Sequence, residues 1–206
     1  MEVYKYDSYE EYVKVQTAAN IKKLNYCWAQ QSTMTKISKL YPEAKDILCH
    51  GTRNGSEIKF FKHAYKDMFG ANIIIGTEIS ETATQFPDTY QHDFHEVKDE
   101  WVGKFDIIYS NSFDHSYDPV KALDTWTKQL KPTGVLVVEL MRGVNNVSSE
   151  MDPLSLSIPE YKELVREYGH LPIREFEIGL GTFKAGVVIM TRVPSQDDPI
   201  VEKSHV

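Results

Sequence analysis

Ile47-Leu48-Cys49-His50-Gly51-Thr52-Arg53-Asn54-Gly55 is the stretch from which the rest of the chain is read. Its first three residues form a short apolar run after Pro42, as a buried strand requires. Gly51 and Gly55 bracket a turn, and Ile58, Phe61, Tyr65 and Met68 then recur at steps of three and four, a helix period. Gly70 is expected to cap that helix, and Ile73-Ile74-Ile75 is a continuous apolar run suited to a strand covered on both faces. Strand, glycine turn, helix and strand make a βαβ unit, the repeat of a parallel sheet.

The same alternation continues downstream. Phe105-Asp106-Ile107-Ile108-Tyr109 reads as a strand, and Asp118-Pro119 supplies an N-cap followed by proline at the first helical position. Val120, Leu123, Trp126, Thr127 and Leu130 are expected to face inward, Lys131-Pro132 to stop the helix, and Val135-Leu136-Val137-Val138 to form the next strand. Ser157 with Glu160 three residues on is a capping-box signature for a helix ended by Gly169. About Ile173 to Ile178 and Ala185 to Arg192, joined by Gly179-Leu180-Gly181, are expected to form an antiparallel hairpin. Upstream, Tyr9, Tyr12, Val13 and Ala19 fall on one helical stripe, so one or two helices precede the sheet.

Composition bounds the partners. The chain has 206 residues, a size that suits a single α/β domain, and its net charge of −7 argues against affinity gained by neutralising phosphates. No nucleic-acid partner is expected. No apolar run approaches the roughly 18 residues that span a bilayer, and the first residues lack a signal-peptide layout, so a cytoplasmic protein without a membrane partner is expected. Cys27 and Cys49 are far apart, without a Cys-x-x-Cys pair or histidines at metal spacing, and no disulfide or metal site is expected.

The glycine turn lets a ligand approach the backbone where a β-carbon would obstruct it. Glu78 follows the second strand, at the spacing that grips both hydroxyls of an adenosine ribose. A nicotinamide-dependent oxidoreductase is a rival, but it calls for a third glycine near Glu57 and an extra parallel strand in place of the Gly179 hairpin.

Ile47 to Gly55 resembles motif I of the class I S-adenosylmethionine-dependent methyltransferases, of methyltransferase-domain-11 type, and Ile73 to Ser80 resembles their second-strand motif. Phe105 to His115 is similar to their fourth strand and loop, and Asp118 to Glu139 to the following helix and strand, so the resemblance spans roughly Asp46 to Arg192. It implies a doubly wound, mostly parallel seven-stranded α/β sheet with an antiparallel last strand. Residues 1–40 would be an N-terminal helical extension or lid, 41–193 the cofactor-binding domain and 194–206 a flexible tail. The implied activity is methyl transfer from S-adenosylmethionine to a small-molecule acceptor.

The implied cofactor contacts are His50, Gly51, Thr52, Arg53 and Gly55 in the turn, Glu78 and Ile79 after the second strand, Asp93 and Phe94 along the adenine ring, and Asn111 and Ser112 after the fourth strand. Asp114 and His115 are the candidate catalytic groups. Alternatives stand beside several of these: His50 as a hydrogen-bonded strand-terminal residue, Arg53 as an exposed turn residue, His115 as a donor to a neighbouring carbonyl, and Asp114 as a turn cap. The sequence departs from the family pattern at Arg53, where the central motif glycine is usual, and at Cys49, where an acid is common. A cofactor-binding domain that has lost transfer is therefore a further reading.

Overall fold

The computed structural model describes residues 1–66, 73–142, 147–180 and 183–192. In chain order the strands are β1 (Glu2–Val3), β2 (Asp46–His50), β3 (Ile73–Glu78), β4 (Thr89–Gln91), β5 (Phe105–Ser110), β6 (Leu130–Arg142), β7 (Leu154–Ser155), β8 (His170–Leu180) and β9 (Phe183–Arg192). The α-helices are α1 (Tyr9–Lys22), α2 (Gln31–Leu40), α3 (Ser56–Ala64), α4 (Pro119–Gln129) and α5 (Ile158–Glu167).

Seven strands form one sheet in the order β4-β3-β2-β5-β6-β9-β8. The first five run parallel, β9 is antiparallel to β6, and β8 is antiparallel to β9. The doubly wound sheet with its antiparallel closing strand is thus as the sequence predicts. The parallel strands are apolar on both sides because each face is covered. Leu48, Ile75, Ile108, Leu136 and Met190 point into the layer of α4 and α5, with Trp126 and Tyr161 at its centre. Ile47, Cys49, Ile107, Val137 and Ile189 point into the layer of α2 and α3, around Met34, Ile37 and Phe61.

Local signals set the helix ends. Asp118 accepts from the Lys121 amide at 3.0 Å, with Pro119 in the first turn of α4. Ser157 and Glu160 form the full capping box at α5. The inward face of α4 differs from the expected one: Val120 is exposed, and Ala122, Leu123, Thr125 and Trp126 are buried. Leu130 already belongs to β6, and Lys131 to Gly134 lie between the pairs Phe105–Leu130 and Ile107–Val135, so the proline-glycine stretch bulges out of the ladder. The chain between β3 and β4 is too short for a crossover helix and makes a 3-10 turn at Glu81–Gln85. The expected cap at Gly70, the turn glycine Gly181 and the tail from 194 lie outside the described residues.

The N-terminal region wraps back over the sheet's carboxyl edge. β1 pairs antiparallel with β7, so Val3 meets Leu154 in the segment after β6. α1 starts at Ser8, whose side chain accepts from the Glu11 amide, and buries Tyr12, Gln16 and Asn20, a stripe spaced four residues apart. Both cysteines are free thiols. Among the described residues no helix is long and apolar enough to cross a membrane.

Candidate active site

The turn after β2 is built on left-handed backbone. Gly51, Arg53 and Gly55 have φ of 71°, 47° and 67°. For Arg53 this conformation costs about 1 kcal/mol that glycine would avoid. The Thr52 amide donates to the Thr77 carbonyl at 2.9 Å and pins the turn to β3. A β-carbon on Gly51 would lie 2.6 Å from Ser112 Cβ, so turn, β5 loop and the nearby Phe94 ring meet at that backbone.

Glu78 ends β3 with its carboxylate turned back to this turn. Oε2 accepts from the Arg53 amide and Oε1 from the Ser80 amide, each at 3.1 Å. A carboxylate has about four lone-pair sites, so about one per oxygen remains for a ligand, the arrangement a vicinal diol needs. Burial raises its pKa, and the Ser80 amide and the charges of His115 and Arg53 oppose that.

Beyond β4, Asp93 is held from two sides. His95 Nδ1 lies 2.6 Å from Oδ1, and the Tyr9 hydroxyl donates to Oδ2 at 2.9 Å. Burial would raise this carboxyl, but the His95 contacts outweigh it and leave it below the ordinary range. His95 continues to Ser116 Oγ at 2.8 Å, and both are fully buried. Neither lines either of the two crevices described below, and the Asp-His-Ser line braces the β5 loop.

The structure brings most of the predicted residues together and leaves two out. Glu78, Ile79, Asp93 and Phe94 line one crevice of about 540 Å³, roofed by Tyr12, Gln16 and Asn20 of α1. Thr52, Asn111 and Asp114 line a larger one of about 1120 Å³, solvent at its mouth included. Gly51, Arg53, Ser112 and His115 belong to both. His50 and Gly55 line neither. The His50 ring lies inside, 2.9 Å from both Thr77 Oγ1 and Gln129 Oε1 and stacked on Trp126, and burial lowers its pKa to about 3. It is the hydrogen-bonded strand-terminal histidine of the alternative reading. Gly55 opens α3 through its left-handed φ.

His115 Nδ1 lies 2.9 Å from the Met151 carbonyl and 3.0 Å from Gln16 Oε1. A carbonyl only accepts, so Nδ1 is the donor in that contact. Burial raises the Asp114 carboxyl, His115 opposes this and Asp152 adds to it. Ligand atoms of Asp114, His115 and Asp152 lie within 4.8 Å of one another. The Arg53 guanidinium is engaged by the Tyr26 carbonyl at 3.2 Å.

Several lining residues lie outside the predicted site residues. Tyr26, Cys27 and Trp28 close the larger crevice from the α1–α2 connection, Met141 from the end of β6, and Leu154 and Leu156 from the chain after it. Glu57 and Glu139 form part of its wall and are only 5% and 6% exposed. Burial raises Glu57 to about 8, with the Glu139 charge adding to it, and burial raises Glu139 to about 7.

No family model and no curated protein matches the chain. Solved structures do. The fold is similar to Burkholderia thailandensis 1,6-didemethyltoxoflavin-N1-methyltransferase, solved with 1,6-didemethyltoxoflavin and S-adenosylhomocysteine, at 12% identity and TM-score 0.69 over 92% of each chain. It is similar to the [4+2]-cyclase SpnF at 10% identity and TM-score 0.68, over 94% of this chain and 99% of that one. A type 11 methyltransferase from Sulfolobus solfataricus matches at 14% identity and TM-score 0.59, over 87% and 100%. The chain has the class I methyltransferase fold.

Proposed function

We propose that this chain is an enzyme that binds S-adenosylmethionine at the carboxyl edge of its sheet and transfers the methyl group to a small-molecule acceptor. The observation that carries the reading is Glu78: it is held by the Arg53 and Ser80 amides beside the glycine turn, with lone pairs to spare for a sugar. The residues present fit the group, because a β-carbon at Gly51 would fill the junction where the two crevices meet. The neighbours solved with S-adenosylhomocysteine support the same choice of cofactor.

In this reading Glu78 takes the ribose hydroxyls, Ile79 and Phe94 flank the base, and Asp93 receives a donor on its rim. Gly51, Thr52, Arg53 and Ser112 meet the amino-acid end, and Asn111 borders it. Bound there, the sulfonium supplies a methyl already activated for in-line displacement. The chain's own task is alignment of the nucleophile and exclusion of water, which α1 performs as a lid. His115, with Nδ1 donating to the Met151 carbonyl, takes a proton at Nε2 from an acceptor that carries one, and Asp114 and Asp152 support the charge that His115 gains.

A domain that binds the cofactor without methyl transfer is the second reading, favoured by Arg53 and Cys49 in the first motif and by the likeness to a cyclase. Calorimetry with S-adenosylhomocysteine and NADH tests the site: micromolar binding of the first and none of the second is expected. A metabolite screen with methyl-labelled cofactor then separates the two readings, since a labelled product requires transfer.

A further inference from the structure

The larger crevice contains four acids, Glu57, Asp114, Glu139 and Asp152, against two cations, Lys23 and Arg53. Arg53 is already committed to the Tyr26 carbonyl. Two of the acids sit where acids are costly. Glu57 enters from the first turn of α3 and Glu139 from β6, both on the α2–α3 side of the sheet, and both are more than nine-tenths buried. Oε2 of Glu57 and Oε1 of Glu139 have no hydrogen-bond partner, and the nearby Tyr109 and Thr33 hydroxyls approach Glu139 without hydrogen-bond geometry. Buried polar atoms are nearly always paired, and an unpaired carboxyl oxygen in a wall is an acceptor waiting for a donor.

Among the described residues, the grouping of three metal-ligating atoms is Asp114, His115 and Asp152, which leaves out both Glu57 and Glu139. Apolar and aromatic side chains, Tyr26, Trp28, Leu154 and Leu156, face the same space beside the polar Thr52, Asn111 and Ser112. Rings and aliphatic groups suit a hydrophobic body, and they also favour a cation beside an aromatic face.

We infer that Glu57 and Glu139 receive the protonated amine of a small acceptor whose hydrophobic body lies against Trp28 and Leu154. The term acceptor rests on the methyltransferase reading; the amine site itself does not. The acids line the larger crevice and not the one containing Glu78, Asp93 and Phe94, so the amine is no part of the nucleoside, and the cofactor's own ammonium is the competing occupant that the test separates.

The test uses the full chain saturated with S-adenosylhomocysteine near pH 8, where a primary amine stays protonated. The probes are 2-phenylethylamine and 2-phenylethanol, alike in size and different in charge. The amine is expected to bind about tenfold more tightly than the alcohol, as one charge-assisted contact provides. Glu57→Gln and Glu139→Gln should each shrink that ratio several-fold, and the double variant should bring it to about one, with alcohol affinity unchanged. Melting curves establish that the variants fold. Equal affinity for the two probes, or a ratio untouched by the substitutions, overturns the inference. So does a loss of S-adenosylhomocysteine affinity in the Gln variants with 5′-methylthioadenosine affinity intact, because the acids would then serve the cofactor's own ammonium. An amine preference in a protein that does not bind S-adenosylhomocysteine sustains the amine site and sinks the methyltransferase reading alone.

Discussion

The Tyr9 hydroxyl and the Asp93 carboxylate, 84 residues apart in sequence, meet at 2.9 Å and dock the first helix onto the turn after β4. Hydrogen bonds add to an aromatic contact of Tyr12 with Tyr117 and His95: Tyr12 donates to the His115 carbonyl, Gln16 to the Met151 carbonyl, and Asn20 accepts from Thr82. Removing the Tyr9 bond with Tyr9→Phe should speed amide exchange across residues 9–22 about fivefold, equivalent to about 1 kcal/mol, while β5 and β6 stay protected. Hydrogen-exchange mass spectrometry reads this, and unchanged protection in α1 rejects it.

Glu78→Ala should weaken S-adenosylhomocysteine binding by about 1 to 3 kcal/mol, through loss of charge-assisted hydrogen bonds. The Arg53 and Ser80 amides lose their acceptor in the same variant, so its melting temperature is measured alongside the calorimetry. Unaltered affinity in a folded variant removes the ribose assignment.

Gly51→Ala tests the junction of the crevices. The left-handed φ of 71° and the 2.6 Å approach to Ser112 Cβ both resist a side chain. A stability loss of about 1 to 3 kcal/mol is expected, with displacement of the β5 loop. Denaturant unfolding measures it, and a neutral result means that the turn relaxes freely.

The pH profile of stability follows from three buried groups. Glu57 and Glu139 have folded pKa values of about 8 and about 7, against 4.5 as the ordinary value. Their contribution is complete below pH 4.5 and is lost as pH rises through those folded values. His50 behaves oppositely: its pKa falls from 6.5 to about 3, so stability is lost as pH drops across that interval. Melting temperature should therefore be highest on the acid side of neutrality. Replacing both acids by glutamine should recover on the order of 2 kcal/mol near pH 8. An alkaline limb that the double variant leaves in place contradicts the assignment.

The sheet was legible because periodicity and glycine placement report backbone directly: Ile47 to Gly55 and Asp118-Pro119 each carry their own geometry. The roof was legible only in part: a helix with Tyr12 on its stripe is expected, and the burial of Gln16 and Asn20 is not. Tyr12, Gln16 and Asn20 share a helix face, but hydrophobic periodicity does not register a buried stripe made of polar groups. Glu57 and Glu139 were hidden for a similar reason, since acids read as surface residues until the fold encloses them. His95 gave no signal because its value lies in what it touches, Asp93 on one side and Ser116 on the other. Val120 was misplaced by helical phase, because the burial of α4 is set by Trp126 packing on Phe94 and Phe113.

The ladder between β8 and β9 shifts register between Pro172 and Arg174, and β8 forms one border of the sheet. Along that border the imino nitrogen of Pro172 offers no donor, and Arg174, Glu175 and Glu177 add charge. The opposite border, β4, is only three residues long. The break at Pro172, the charges along β8 and the shortness of β4 each disfavour edge-to-edge pairing with a second copy.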